Sequence, residues 1–178
     1  MIASLVTTYN RSSALARSLP QIARLGWPVL VVDDGSECDF ENESAYGPLR
    51  DQGLDVSYLH LPSNRGLAAA MNVGLSYLLA DPEVTHVSYA QDDTEFAPDA
   101  RAVLEDAVVR FSGRYPLLTG HDAGEHEVHL VLPGTFHGRQ LKIKQNARAT
   151  HLLATRAYWE SMLPIPTRKL GAPCREPG

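Results

Sequence analysis

The chain has 178 residues, 44% of them hydrophobic and 21% charged, with 16 Lys and Arg against 21 Asp and Glu and a formal charge of −5. That length suits one domain that buries a core without disulfide or metal staples, and the mild acidity argues against a general nucleic-acid binder. Two cysteines, Cys38 and Cys174, are too few for a disulfide framework or a four-ligand zinc site, no run reaches the roughly 20 apolar residues of a membrane span, and no signal peptide is visible, so a soluble cytoplasmic protein is expected.

Ile2 to Thr7 is a β-prone run that ends in the polar break Thr7-Thr8-Tyr9-Asn10-Arg11. Ser12 or Ser13 is placed to cap a helix with Leu15, Leu19 and Ile22 on its apolar face, and Gly26 and Pro28 stand where it should end. Val29 to Val32 is a continuous β-branched and leucine run, the pattern of a strand covered on both faces. It stops at Asp33-Asp34-Gly35-Ser36. Val56 to Leu61 reads as a third strand, Gly66 to Leu79 as a helix, and Val84 to Ala90 as a fourth strand ending at Gln91-Asp92-Asp93. Pro98 opens a helix running to about Phe111.

Strands alternating with helices predict parallel βαβ units, hence a mostly parallel α/β sheet flanked by helices over residues 1–111. Beyond Tyr115 come short strands at Pro116 to Gly120, Val128 to Leu132, Leu141 to Lys144 and Thr150 to Ala154, then a helix from Arg156 to Met162. Residues 1–178 are expected to form one domain, with 112–178 as an irregular, β-rich part that is short enough to be truncated.

In an open parallel sheet, ligands bind at the carboxyl ends of the strands, around the topological switch point. Three of these ends carry unusual polar groups: Thr7 to Arg11, Asp33-Asp34, and Gln91-Asp92-Asp93. Adjacent carboxylates repel, and a cation, basic side chains or backbone donors must offset the cost. Either acidic pair alone is read equally well as an Asx-type turn; two pairs on one sheet favour a ligand site. No G-x-G and no G-x-x-x-x-G-K-[ST] occurs, so neither common phosphate loop is present. A phosphate ligand would then be countered by a hard cation such as Mg²⁺ or Mn²⁺ on carboxylate oxygens.

Four ordered segments carry a resemblance: Ser4 to Arg11, Val31 to Ser36, Asn64 to Asn72, and Tyr89 to Thr94. Together they are similar to family 2 glycosyltransferases of the GT-A fold, and the Tyr-Ala-Gln-Asp-Asp segment is similar to the bacterial SpsA-type members. The resemblance implies transfer of a sugar from a UDP-, GDP- or dTDP-sugar to an acceptor, with Mg²⁺ or Mn²⁺ and with inversion at the sugar. It implies that Thr7 and Tyr9 hold the nucleobase and that Asp34 accepts a hydrogen bond from it. Arg11 and Arg65 lie on the nucleotide side. Asp92 reaches the ribose or the metal, and Asp93 ligates the metal that bridges the diphosphate.

Two positions depart from the family pattern. Gln91 stands where the D-x-D motif often begins with Asp, and no acid among Asp122, Glu125, Glu127, Glu160 and Glu176 sits in the motif of the general base. The alternative expectation is therefore a nucleotide-sugar-binding or partner-binding domain without transfer activity. His121, His126, His129 and His137, with neighbouring acids, could supply metal ligands but read more readily as polar hairpin residues. His151 is a further candidate for a metal or phosphate contact, while Tyr158 and Trp159 suit either an acceptor pocket or the core.

Overall fold

The computed structural model describes residues 1–37, 39–120, 128–131, 133–144 and 151–167. The elements run β1 (Ile2–Thr8), α1 (Ser12–Ala23), β2 (Val29–Asp33), α2 (Asp39–Asp51), β3 (Val56–His60), α3 (Leu67–Leu79), β4 (His86–Gln91), α4 (Ala100–Phe111), β5 (Leu117–Leu118), β6 (Val128–Val131), β7 (Lys142–Lys144), β8 (His151–Thr155) and α5 (Arg156–Met162). Six strands form one sheet in the order β3-β2-β1-β4-β8-β5, while β6 and β7 form a separate antiparallel pair. The pairings β1–β2, β1–β4 and β2–β3 are parallel, and β8 runs antiparallel to both β4 and β5. The protein is thus a mixed α/β fold with a mostly parallel sheet flanked by helices, as expected.

The chain winds outward from β1 through β2 to β3, then crosses back to β4 on the other side of β1. That reversal puts the switch point between β1 and β4, where the crossover loops diverge and leave a crevice. Strand alternation decides what lies on each face. Val6 and Val31 pack with Leu15, Leu19 and Ile22 of α1 and with Tyr46 and Leu49 of α2. Leu5, Leu30, Val32 and Tyr89 face Ala70, Met71, Leu75 and Leu78 of α3, joined there by Trp159 of α5. A Cβ on Gly74 would lie 2.3 Å from a methyl of Leu5, so the missing side chain is what lets α3 approach β1 and β2.

Several details differ from the sequence expectations. Helix α2 is not visible in the sequence pattern, because Gly47 and Pro48 interrupt it and its interior contribution is limited to positions such as Tyr46 and Leu49. Neither Ser12 nor Ser13 caps α1: Arg11 is the N-cap, without a side-chain cap bond. Asn10, at a left-handed φ of 51°, turns the chain into the helix instead. Helix α4 begins after Pro98, at Ala100.

Candidate functional site

The loops that follow β1, β2 and β4 meet at the carboxyl edge of the sheet. At the switch point, Thr8 donates from Oγ1 to Asp92 Oδ2 at 2.8 Å. Ser18 of α1 donates to the Asp92 carbonyl at 2.7 Å. These two bonds fix Asp92, which is 3% exposed. Arg11 spans both acids, with Nη1 at 2.9 Å from Asp92 Oδ1 and Nη2 at 2.8 Å from Asp93 Oδ2. Burial pushes the Asp92 carboxyl above the ordinary carboxylate range, opposed by the Thr8 hydroxyl and the Arg11 charge and reinforced by Asp93. The bond to Asp93, followed by the charge of Asp92, raises the Arg11 guanidinium in turn.

Asp33 and Asp34, adjacent in sequence, project to opposite faces and do different work. Asp33 is fully buried. Its Oδ1 accepts from the Ser36 amide at 3.0 Å and from the Ser36 hydroxyl, and its Oδ2 from the Tyr58 hydroxyl, with His60 Nδ1 3.1 Å away. Ser36 Oγ in turn accepts from the Asn10 amide at 2.8 Å, and Asn10 Oδ1 accepts from the Glu37 amide at 3.0 Å. Asp33 therefore ties the loop carrying Tyr9 to the loop after β2.

Asp34 points toward α3. Its Oδ1 accepts from the Arg65 amide at 3.0 Å and its Oδ2 from the Gly66 amide at 2.7 Å, at the positive N-terminal end of that helix. Gly35, at φ +73°, makes this turn possible, since a Cβ there would come within 2.4 Å of the Ser63 backbone.

On the α3 side, the Thr7 hydroxyl lies 3.0 Å from the buried Tyr89 hydroxyl. Burial pushes that phenol up to about 12. Gln91, which stands where the D-x-D motif often begins with Asp, is the last residue of β4. Tyr9 and Arg65 are exposed at the rim, and among the described residues Arg65 has no ion-pair partner.

The expected residues Thr7, Tyr9, Arg11, Asp34, Arg65, Asp92 and Asp93 all sit on strand ends or loops at this edge. Glu160 does not. It pairs with Arg156, whose guanidinium bonds the Leu79 and Val84 carbonyls at the amino end of β4. His151 is buried, with Nε2 3.1 Å from Ser88 Oγ and Nδ1 accepting from the Gly120 amide, so its ring links β4 and β8. His137 pairs with Asp106 of α4. Trp159 is core, donating from Nε1 to the Val87 carbonyl. Cys38, His121, Asp122, Glu125, His126, Glu127, Cys174 and Glu176 lie outside the described residues, as does the His129 side chain.

Four supporting residues go beyond the sequence expectations: Thr8, Ser18, Ser36 and Asn72. Asn72 exchanges two hydrogen bonds with the Ile165 backbone, at 2.9 and 2.7 Å, holding the segment after α5 against α3. For Thr8, Ser36 and Asn72 the signal was present, since each stands inside a motif segment. Ser18 had none, being one serine in a helix.

The acid pair and the polar loops lie at the switch point of a mostly parallel α/β sheet, where folds of this class bind their ligands. The glycosyl transferase family 2 profile matches residues 5–116, and the chain belongs to that family. Over 72 residues it is 38% identical to the pre-mycofactocin glycosyltransferase of Mycobacterium tuberculosis, covering 40% of this chain and 14% of that protein. The mannosyltransferase PcManGT from Pyrobaculum calidifontis, in complex with GDP-Man and Mn²⁺, superposes with a TM-score of 0.65 at 18% identity. S. aureus TarS superposes at 0.62 and 17%. These alignments cover 93% and 90% of this chain but 47% and 48% of those chains, so the chain spans about half their length. At such identities the likeness is one of fold.

Proposed function

We propose that this chain carries the donor-binding part of a metal-dependent glycosyltransferase that moves a sugar from a nucleoside-diphosphate sugar to an acceptor with inversion. What supports this reading is the convergence of Tyr9, Arg11, Asp34, Arg65, Asp92 and Asp93 on one edge of a family 2 sheet. In this reading Tyr9, exposed beside the switch point, stacks on the nucleobase. Asp34 accepts an N–H from it: each of its oxygens holds one backbone amide and keeps a second lone pair. One hydroxyl of the Thr7–Tyr89 pair keeps a proton to offer the ligand. Arg11 and Arg65 supply positive charge for the phosphates.

A divalent cation fits the residues present. Asp92 and Asp93 are hard oxygen donors, they already hold a positive group, and Asp93 reaches solvent with a side chain 39% exposed. Among the described residues no three acidic, histidine or cysteine side chains converge on a metal position. Asp93, with Asp92 beside it, would hold the cation while the diphosphate completed the shell, an arrangement usual for Mg²⁺ and Mn²⁺. When bound, the cation supplies positive charge against the departing diphosphate.

The test is release of nucleoside diphosphate from a panel of UDP-, GDP- and dTDP-sugars with Mg²⁺ or Mn²⁺ and a broad acceptor panel. Turnover abolished by Asp93→Asn, with the anomeric configuration of the product inverted, is the expected result. Activity independent of Asp93 and of the cation would sink the metal role. Glu160, away from the site, favours a second reading in which the chain binds a nucleotide sugar without transferring it; binding without release in every arm would establish that one.

A further inference from the structure

The most informative contact in the molecule is the one Arg11 makes. Its guanidinium bonds one oxygen of Asp92 and one of Asp93, at 2.9 and 2.8 Å, and so occupies the two carboxylates that would receive a cation. The partners differ in mobility. Asp92 is held by Thr8 and Ser18 and buried. Arg11 is half exposed, and its backbone is fixed as the N-cap of α1, where its carbonyl accepts from the Ala14 and Leu15 amides at 3.0 Å. The side chain can therefore swing away without any backbone movement, and it is the part free to leave. We propose that Arg11 is a built-in counter-cation and positioning residue: it holds Asp92 and Asp93 ready in the ligand-free protein and is exchanged for the divalent cation when the nucleoside diphosphate gives the guanidinium a new anionic partner.

The proposal rests on the metal-dependent reading above and adds an order of events. A cation arriving alone must displace Arg11 with nothing to take the guanidinium. A cation arriving with a diphosphate meets no such obstacle, because the phosphates accept the guanidinium through paired, charge-assisted bonds. Cation and nucleotide binding are then positively coupled through Arg11, and coupling of this kind is reciprocal. A merely structural Arg11 would give no such signature, since its loss would weaken every ligand alike.

The experiment is a Mn²⁺ titration followed by electron paramagnetic resonance of the free ion, with and without GDP or UDP, on the wild-type chain, Arg11→Gln and Arg11→Lys. Thermal melts check that each chain is folded. Expected for Arg11→Gln is Mn²⁺ alone bound about fivefold or more tightly than by wild type, as loss of an ion pair worth about 1 kcal/mol predicts. The gain in Mn²⁺ affinity that nucleotide confers should shrink in the same variant. Arg11→Lys keeps the charge but cannot span both acids, and should fall between the two; it carries the test if Arg11→Gln does not fold. Unchanged or weaker Mn²⁺ binding in the folded variants, with Mn²⁺–nucleotide binding intact in wild type, overturns the exchange and spares the functional reading. Absence of Mn²⁺ binding to wild type with every nucleotide overturns both.

Discussion

Asp33 and Asp34 show how far two identical neighbours can diverge when a strand ends between them. Asp34 holds the first amides of α3 with both oxygens. Asp34→Ala should leave the partly buried Arg65 amide unpaired and the Gly66 amide with Asn64 Oδ1 alone, at a cost of about 1–3 kcal/mol, and should also weaken nucleotide binding; urea denaturation and calorimetry read the two effects separately. For Asp33, burial alone would raise the carboxyl, but the bonds from Ser36, Tyr58 and His60 outweigh it and hold the group below its ordinary value. A carboxylate depressed in the folded state contributes stability above its unfolded pKa, about 3.9, and loses it as pH falls through the lower folded value. The acid limb of urea midpoint against pH should therefore be flatter in Asp33→Asn than in wild type below about pH 4. An unchanged limb would contradict this account of the network. That two acids end this strand was legible in the sequence, and so was the acid pair after β4. Their division of labour was not, because it depends on which loops happen to present amides and hydroxyls to each oxygen.

Elements with a clean period were the legible ones. The β-branched run at Val29, the apolar spacing of α3 and the short helix from Arg156 all stand where the sequence puts them. Helix α2 was invisible because tertiary contact through Tyr46 and Leu49, not propensity, sustains a segment containing Gly47 and Pro48. The antiparallel placement of β8 was equally hidden, since pairing direction is not written in a strand's own residues. Close packing of α3 makes a sharp prediction. Gly74→Ala would set a methyl 2.3 Å from Leu5 Cδ1 and 3.1 Å from a methyl of Val32, so the fully buried Leu5 side chain or the helix must shift. A loss of about 1–3 kcal/mol is expected in chemical denaturation. A fully stable Gly74→Ala variant would show that the helix has room to spare.

At the scale of the whole molecule, the two ends of the sheet have separate duties. The amino end anchors α5 through Arg156 to the Leu79 and Val84 carbonyls, while the carboxyl end gathers the acids, the arginines and Tyr9. Trp159 and Ala154 lie in the same core cluster as Leu5 and Leu75, so the residues after β7 share the interior of the βαβ region. No described helix is long and apolar enough to cross a membrane. The ordered motif segments were enough to locate this edge in the sequence; the Arg11 bridge across both acids was not, because it is a contact between loops 81 or more residues apart. In the proposed function, this edge binds a nucleoside diphosphate through a cation on Asp93. Isothermal calorimetry with UDP, GDP and dTDP, with and without Mn²⁺, tests it directly on wild type and Asp93→Asn. Mn²⁺-dependent binding of at least one of the three by wild type is expected, with the Mn²⁺ dependence lost in the variant. A folded wild-type chain that binds none of them, or equal Mn²⁺-dependent affinity in both chains, would contradict it.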